Sequence, residues 1–119
     1  MKAAFFEVED WEKDYLKERL AQVELSFYAE LLSLENINSA AGCQIVSPFI
    51  YSKIDKDIVQ KLPDLKMIAT RSTGFDHIDL IAAGGNKIAV CNVPFYGENT
   101  VAEHTFALIL AISRKIYDS

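Results

Sequence analysis

The sequence predicts an α/β protein with a doubly wound, parallel five-stranded sheet and helices on both faces. Short apolar runs typical of strands alternate along the chain with segments that have helical spacing. Neither a repeat nor a low-complexity linker interrupts this alternation. Strand–helix alternation of this kind implies right-handed crossovers, and therefore a parallel sheet that is covered on both faces.

Five runs are predicted as strands because they are short, apolar and bounded by polar or turn-forming residues. The second run alternates apolar and polar residues, which is typical of an edge strand. The third is stopped by Pro48, which cannot continue a ladder of hydrogen bonds. The runs are Lys2–Val8, Val23–Tyr28, Gln44–Ser47, Leu65–Thr70 and Ile88–Cys91.

The first helix is predicted after Asp10, which we expect to act as its N-cap. Apolar residues then recur at helical spacing and predict one face packed on the sheet. These residues are Trp11, Tyr15, Leu16 and Leu20. The segment from Glu30 to Gly42 contains both helix-like leucines and turn-forming asparagines, so its structure stays open at this point.

Two further helices are predicted between the later strands. The first of these spans Asp55 to Leu62, with an acidic first turn and with Pro63 after its end. The other spans Asp79 to Ala83, where Asp79 is expected to accept hydrogen bonds from the free N–H groups of the first turn. Gly84 and Gly85 are expected to stop this helix.

The last predicted helix is unusual because its centre is apolar on every side. Thr100 and Glu103 match a capping box, and the stretch from Phe106 to Ile112 follows. A helix that is apolar all round must be covered all round, which predicts a further domain or a second chain against it. From Thr100 to Tyr117 it would measure about 25–27 Å, a length that suits a connector between domains.

Composition excludes several classes of function. A chain of 119 residues suffices for one core, and its net charge of −5 argues against nucleic-acid binding. Cys43 and Cys91 lack metal-site spacing, so we expect neither a metal nor a disulfide. No apolar stretch is long enough to span a membrane, and the first residues do not resemble a signal peptide. These features predict a cytoplasmic protein.

Three loops rich in polar and aromatic residues follow predicted strands three, four and five. They are Pro48–Tyr51, Arg71–Asp76 and Asn92–Gly97. Ligands of parallel sheets bind outside the carboxyl ends of the strands, so these loops predict a binding site. In the middle loop, Gly74 would allow a sharp turn and the close approach of a ligand to successive N–H groups. An ordinary strand–turn–helix connection is the plainer interpretation of that loop by itself.

Two motifs in these loops resemble those of the D-isomer-specific 2-hydroxyacid dehydrogenases, particularly the members that act on lactate. One is R-x-x-G-x-D-x-I-D at residues 71–79, and the other is N-V-P-x-Y at residues 92–96, followed by V-A-E-H at residues 101–104. Phe49–Lys53 fits the substrate-side loop of the family less distinctively. The resemblance covers essentially the whole chain but only the first third of a typical member.

The resemblance implies a flavodoxin-like substrate-binding (catalytic) domain at residues 1–99. Residues 100–119 would form the linker helix toward a Rossmann NAD-binding domain that lies beyond this chain. The N–H groups of Thr73 and Gly74 would hold the substrate carboxylate, and Tyr51 and Tyr96 would line the pocket. More weakly, Thr100 would lie near the nicotinamide. The helix at 100–117 would also lie in or near the contact of a homo-oligomer.

The same resemblance implies a reaction that this chain cannot complete alone. The full-length enzyme would transfer hydride between NADH and a 2-keto acid to give a D-2-hydroxy acid. No G-x-G-x-x-G is present, and the family's catalytic Arg, Glu and His would lie beyond the chain, so no catalytic residue is predicted here. We therefore expect the isolated chain to be inactive and not to bind NAD.

Four polar residues near the motifs have plainer interpretations than catalysis. His104 is expected on the linker helix, and His77 in a turn. Glu103 is expected to cap a helix. For Arg71, a contact with substrate or cofactor and a structural ion pair both stay open.

Two alternatives share the predicted fold. A phosphorelay receiver needs an Asp after strand three and a Lys after strand five, where this chain has Ser47-Pro48 and Cys91-Asn92. A flavodoxin-type FMN-binding protein needs a Ser/Thr-rich phosphate loop after strand one, which is absent. A short acid-binding or regulatory module that uses the exposed last helix also stays open.

Overall fold

A computed structural model describes residues 1–116 of the chain. Its elements are β1 (Lys2–Phe5), α1 (Asp10–Arg19), β2 (Glu24–Phe27), a 3₁₀ helix (Ile37–Ala40), β3 (Ile45–Ser47), α2 (Lys56–Lys61), β4 (Met67–Ala69), α3 (Leu80–Gly85), β5 (Ala89–Cys91) and α4 (Glu98–Ser113). The strands form one sheet in the order β2-β1-β3-β4-β5, and every pairing is parallel. This confirms the predicted fold, with β2 at one edge.

The first strand divides its side chains between two apolar clusters on opposite faces of the sheet. Ala3 and Phe5 belong to the cluster on which α1 packs. Ala4 belongs to the larger cluster, together with Ile58 of α2 and Ala83 of α3. Because successive strand residues point to opposite faces, the helices lie on both sides of the sheet, as predicted.

The strands are shorter than the apolar runs that predicted them. β1 ends at Phe5 because Glu7 adopts a φ of 58°, which turns the chain out of the sheet before Val8. The open segment from Glu30 to Gly42 is mostly loop and contains the 3₁₀ helix. The predicted strand ends therefore include residues that belong to the loops above the sheet.

The predicted start of α1 is wrong by one residue, and part of its predicted buried face is exposed. The N-cap is Glu9 and not Asp10, because the Glu9 N–H donates to Glu12 Oε2 at 2.8 Å. Leu16 packs on the sheet as expected, but Trp11 is 75% exposed. Tyr15 is likewise exposed. Trp11 lies at the end of α1 beyond the sheet, where it borders a cleft.

The N-cap of α3 is confirmed, whereas its predicted stop is wrong. The Asp79 carboxylate accepts the N–H of Ala82 at 2.8 Å. Gly84 and Gly85 are the last two helical residues, and the chain turns at Lys87, which has a φ of 58°. Asn86 permits this ending because its Nδ2 donates to the Ala82 carbonyl at 2.8 Å.

Helix α4 begins earlier than predicted. Its N-cap is Gly97, so Thr100 and Glu103 lie inside the helix and the predicted capping box is wrong. Its 16 residues span about 24 Å, and none of them is buried. The helix ends at Ser113, and Tyr117, its predicted last residue, lies outside the described residues.

Candidate functional site

The three predicted loops meet at the carboxyl edge of the sheet. The Arg71 N–H donates to the Pro48 carbonyl at 3.1 Å, and the Val93 N–H donates to the Ser72 carbonyl at 3.0 Å. The loop after β4 is therefore joined to the loops after β3 and β5. This arrangement follows from the strand order, because β4 lies between β3 and β5.

Arg71 is held by the ends of two other strands. Its Nη2 donates to the carbonyls of Phe6 and Glu7 at 2.9 Å, and its Nη1 donates to the Ser47 carbonyl at 2.9 Å. Its Nε also pairs with Glu12 Oε1 at 3.3 Å. All three guanidinium nitrogens thus have partners within the fold. The structural ion pair is the interpretation that the geometry supports.

The Glu7 carboxylate organises the loop after β3. It accepts N–H groups from Phe49 at 3.1 Å, Tyr51 at 2.7 Å and Ser52 at 3.0 Å, and it also accepts the Ser52 hydroxyl. Burial alone would raise the pKa of Glu7, but the Ser52 hydroxyl and the three N–H groups outweigh burial and lower that pKa. No local pattern predicted this role, because Glu7 lay inside the predicted strand Lys2–Val8.

The turn after β4 has its carbonyl groups tied back to the protein. The Ser72 carbonyl accepts the Val93 N–H at 3.0 Å, and the Thr73 carbonyl accepts Asn92 Nδ2 at 2.8 Å. A trans peptide points its N–H away from its carbonyl, so these bonds direct the N–H groups of Thr73 and Gly74 to the other side. Neither N–H donates to an acceptor within residues 1–116. The turn therefore presents two backbone donors that can bind an anion.

Gly74 is not required for the shape of this turn. Its φ lies outside the left-handed region, and an added Cβ would meet no atom within 4 Å. The predicted need for a sharp turn is therefore absent in this structure. The open space beside the donors is compatible with the close approach of a ligand to the backbone.

Tyr96 lies between two clefts. Tyr96, Thr73 and Thr100 border a cleft of about 430 Å³, so the structure brings three of the predicted site residues together. On its other side Tyr96 borders a second cleft of about 380 Å³. The other residues lining this second cleft are Glu7, Glu9, Trp11, Glu12, Phe49, Arg71 and Val93.

Tyr51 is placed apart from the other predicted residues. It borders a separate depression, which it shares with Leu31 and Phe49, and its side chain is 72% exposed. Tyr96 is exposed to a similar extent. Phe49, which sequence analysis did not single out, borders the cleft beside Tyr96, and its ring lies 6.0 Å from the Arg71 guanidinium carbon. The signals for Phe49 in the sequence were its position directly after Pro48 and its place at the start of Phe49–Lys53, the segment that resembles the family's substrate-side loop.

Comparison with known proteins identifies the family. Residues 3–115 match the family model described as D-isomer specific 2-hydroxyacid dehydrogenase, catalytic domain. The chain belongs to this family. Family members include the D-lactate dehydrogenase of Escherichia coli, 31% identical over 98% of this chain and 37% of its own length. The 2-hydroxyacid dehydrogenase homolog 1 of Schizosaccharomyces pombe is 33% identical, with 98% of this chain and 36% of its own length covered.

Solved structures support the same assignment. The D-lactate dehydrogenase from Aquifex aeolicus, complexed with NAD and lactic acid, superposes with a TM-score of 0.87 and is 35% identical. The match covers 98% of this chain and 36% of that enzyme. NAD, which the resemblance implied, is thus the cofactor bound in this relative. The chain spans little more than a third of the length of these dehydrogenases.

The junction of β1 and α1 lacks the features of a glycine-rich dinucleotide site. Such a site needs a glycine-rich turn between a strand and a helix, so that backbone N–H groups can surround a pyrophosphate. At the junction of β1 and α1 this chain instead places the carboxyl side chains of Glu7, Glu9 and Glu12. Their negative charge would repel a pyrophosphate. The weaker prediction that Thr100 contacts the nicotinamide side stays a prediction.

The histidines and cysteines add no second site in the described part of the chain. His104 and Glu103 lie exposed on α4, and Cys43 is buried, which raises the pKa of its thiol. No cluster of three or more His, Cys, Asp or Glu side chains could hold a metal within residues 1–116. No helix among these residues is long and apolar enough to cross a membrane.

Proposed function

We propose that this chain is the substrate-binding part of an NAD-dependent oxidoreductase that reduces a 2-keto acid to a D-2-hydroxy acid, with D-lactate as the model product. Residues 1–99 form the substrate-binding domain, and residues 100–119 form the linker to a dinucleotide-binding domain. The observation that carries the proposal is the pair of free N–H groups of Thr73 and Gly74, at the strand-end cleft of a chain that belongs to this family.

In this proposal the turn binds the carboxylate of the substrate. Two N–H groups can each donate to one carboxylate oxygen, and a charged acceptor strengthens such bonds. Tyr96, which borders the same cleft as Thr73, lines the pocket around the rest of the substrate. Tyr51 is proposed as a second lining residue from the loop after β3, although it borders a separate depression in this structure. Bound NADH would supply the hydride, and the proton donor and the cofactor site are proposed to lie outside this chain.

A second candidate function is a short acid-binding module that regulates a partner protein. The observation that favours it is α4, whose large apolar side chains are exposed along its whole length. Both candidates use the same turn for the acid. They differ in whether joining this chain to a dinucleotide-binding domain produces hydride transfer.

The experiment is a chimera in which residues 3–115 replace the matching segment of the E. coli D-lactate dehydrogenase. We expect NADH-dependent reduction of pyruvate and a strong preference for the free acid over its methyl ester in kcat/KM. The Cβ that Gly74→Val adds meets no protein atom within 4 Å, so the fold has room for it at that position. The variant should lose most of that preference, because the new side chain occupies the space beside the donors.

The matched control is Gly84→Val in α3, where an added Cβ also meets no atom within 4 Å. It should keep the preference for the free acid. A folded Gly74→Val chimera with the parental preference would show that the carboxylate is held elsewhere. A parental chimera that is folded, binds NADH and reduces no 2-keto acid would favour the regulatory module.

A further inference from the structure

Two buried hydroxyl groups connect the anion-binding turn to His77. Thr70 and Ser72 are only 3% and 4% exposed, and the proposed function uses neither of them. Thr70 Oγ1 lies 3.2 Å from His77 Nε2 and 2.7 Å from Ser72 Oγ. Ser72 Oγ in turn lies 2.7 Å from the Gly74 carbonyl. These atoms form a continuous hydrogen-bond path from the His77 imidazole to the turn.

The number of hydrogens on each group fixes the direction of the hydrogen bonds along this path. The Gly74 carbonyl has no hydrogen, so Ser72 must donate its single hydroxyl hydrogen to it. The bond between the two hydroxyls therefore uses the hydrogen of Thr70. Thr70 then has no hydrogen left for His77, so His77 Nε2 must be the donor. The Phe49 carbonyl, 3.2 Å from Thr70 Oγ1, competes only weakly for that hydrogen because it is farther away than Ser72.

Backbone hydrogen bonds hold His77 in place at the start of this hydrogen-bond path. The His77 carbonyl accepts the Ile54 N–H at 2.8 Å, and the next residue, Ile78, forms a parallel bridge with Ile54. At the other end, the bond from Ser72 fixes the Gly74 carbonyl, as the bonds from Val93 and Asn92 fix the two preceding carbonyls. Three consecutive peptides of the turn are thereby oriented.

We infer that His77 is a positioning residue: by donating to Thr70, it holds the two hydroxyl groups in the direction in which Ser72 donates to the Gly74 carbonyl, and it thereby orders the turn that receives the substrate carboxylate. The last clause rests on the proposed function, whereas the direction of the hydrogen bonds does not. The role predicted for His77 from the sequence, a plain turn residue, is extended accordingly.

Proton–nitrogen correlation NMR of the imidazole groups in the 119-residue chain tests the direction of these hydrogen bonds. In its neutral form, His77 should carry its proton on Nε2, and this proton should exchange slowly enough with water to be observed. Exposed His104 is the internal reference and should show no such signal. Thr70→Val removes the acceptor and should accelerate exchange of the His77 proton at least tenfold. Ser72→Ala should retain that proton, because the Thr70 oxygen still accepts it.

Backbone relaxation of the same samples tests the positioning role. Ser72→Ala releases the Gly74 carbonyl and should lower the order parameters of Gly74 and Phe75, and Thr70→Val should do so more weakly. The matched control, Thr105→Val, removes a hydroxyl bonded only within α4 and should change neither measurement.

Two results would overturn the inference. One is a wild-type His77 proton on Nδ1, and the other is an unchanged turn in folded Ser72→Ala. Titration with pyruvate, monitored at the N–H groups of Thr73 and Gly74, separates the two proposals. A wild-type chain with the Nε2 proton and an ordered turn but no pyruvate-induced shifts would count against the proposed function and not against the positioning role.

Discussion

Replacing Glu7 with Gln should destabilise the chain strongly, although the side chain keeps its size. Glu7 Oε2 accepts three hydrogen bonds, from the N–H groups of Phe49 and Ser52 and from the Ser52 hydroxyl, while Oε1 accepts the Tyr51 N–H at 2.7 Å. With the amide oxygen of Gln in the place of Oε2, its NH₂ group faces the Tyr51 N–H. Two donors then oppose each other at the distance of a short hydrogen bond.

The expected loss is about 3 kcal/mol in the free energy of unfolding. Hydrogen bonds to charged groups contribute about 1.5–3 kcal/mol each and neutral ones about 0.5–1.5 kcal/mol, so three weakened bonds lose about 1 kcal/mol apiece. The lost Tyr51 bond adds less, because that N–H is exposed and regains water. A domain of this size has a total stability of about 5–15 kcal/mol, so the loss is readily measured.

Urea unfolding of the wild type, Glu7→Gln and Glu18→Gln measures this loss. Glu18 is exposed, and its substitution should change stability by less than about 0.5 kcal/mol. The folded-state pKa of Glu7 lies below its ordinary value, so its contribution is fully present above that ordinary value. The stabilisation by Glu7 is lost as the pH falls through the folded-state pKa. The difference in the free energy of unfolding between wild type and Glu7→Gln should therefore narrow on acidification. Two results would refute this account of Glu7: a Glu7→Gln chain as stable as the wild type at neutral pH, or a difference in the free energy of unfolding that does not change with pH.

Two further predictions concern the binding of NADH and the association of chains or domains through α4. The isolated chain should give no heat of binding with NADH in titration calorimetry, because acidic side chains lie at the β1–α1 junction where a dinucleotide site needs glycines; micromolar binding would contradict this. Helix α4 should mediate self-association or domain contact, and Ile109→Lys should weaken the dimer at least tenfold in analytical ultracentrifugation, since burying one such side chain contributes about 1.5–3 kcal/mol. Ile81→Lys, at an even more exposed isoleucine of α3, is the control, and a monodisperse wild-type monomer at high concentration would contradict the expectation.

The errors in predicting helix ends have a common physical origin. Glu9 and Asp10 are adjacent acidic residues, and either could cap α1 by its own chemistry; the position of Glu12 three residues after Glu9 decided between them. At α4, Thr100 and Glu103 form a complete capping pattern, yet the helix begins at Glu98. Helix ends are set by small energies, so a residue with good capping chemistry can still be absorbed into the helix.

The sequence by itself determined the order of strands and helices, the edge position of β2, the N-cap at Asp79 and the three loops of the site. Each of these depends on residue spacing within one element or on a few consecutive residues, so the signal is local. Only the tertiary structure decided that Glu7 holds residues 49–52, that Arg71 joins the ends of β1 and β3, and that His77 is tied to the turn through Thr70. The first two are contacts between residues 24 to 65 positions apart. They exist because parallel pairing places the carboxyl ends of β1, β3 and β4 side by side, and no local pattern shows which polar group will meet which. The path from His77 is shorter in sequence, but its direction depends on where each buried hydroxyl finds its acceptor in three dimensions.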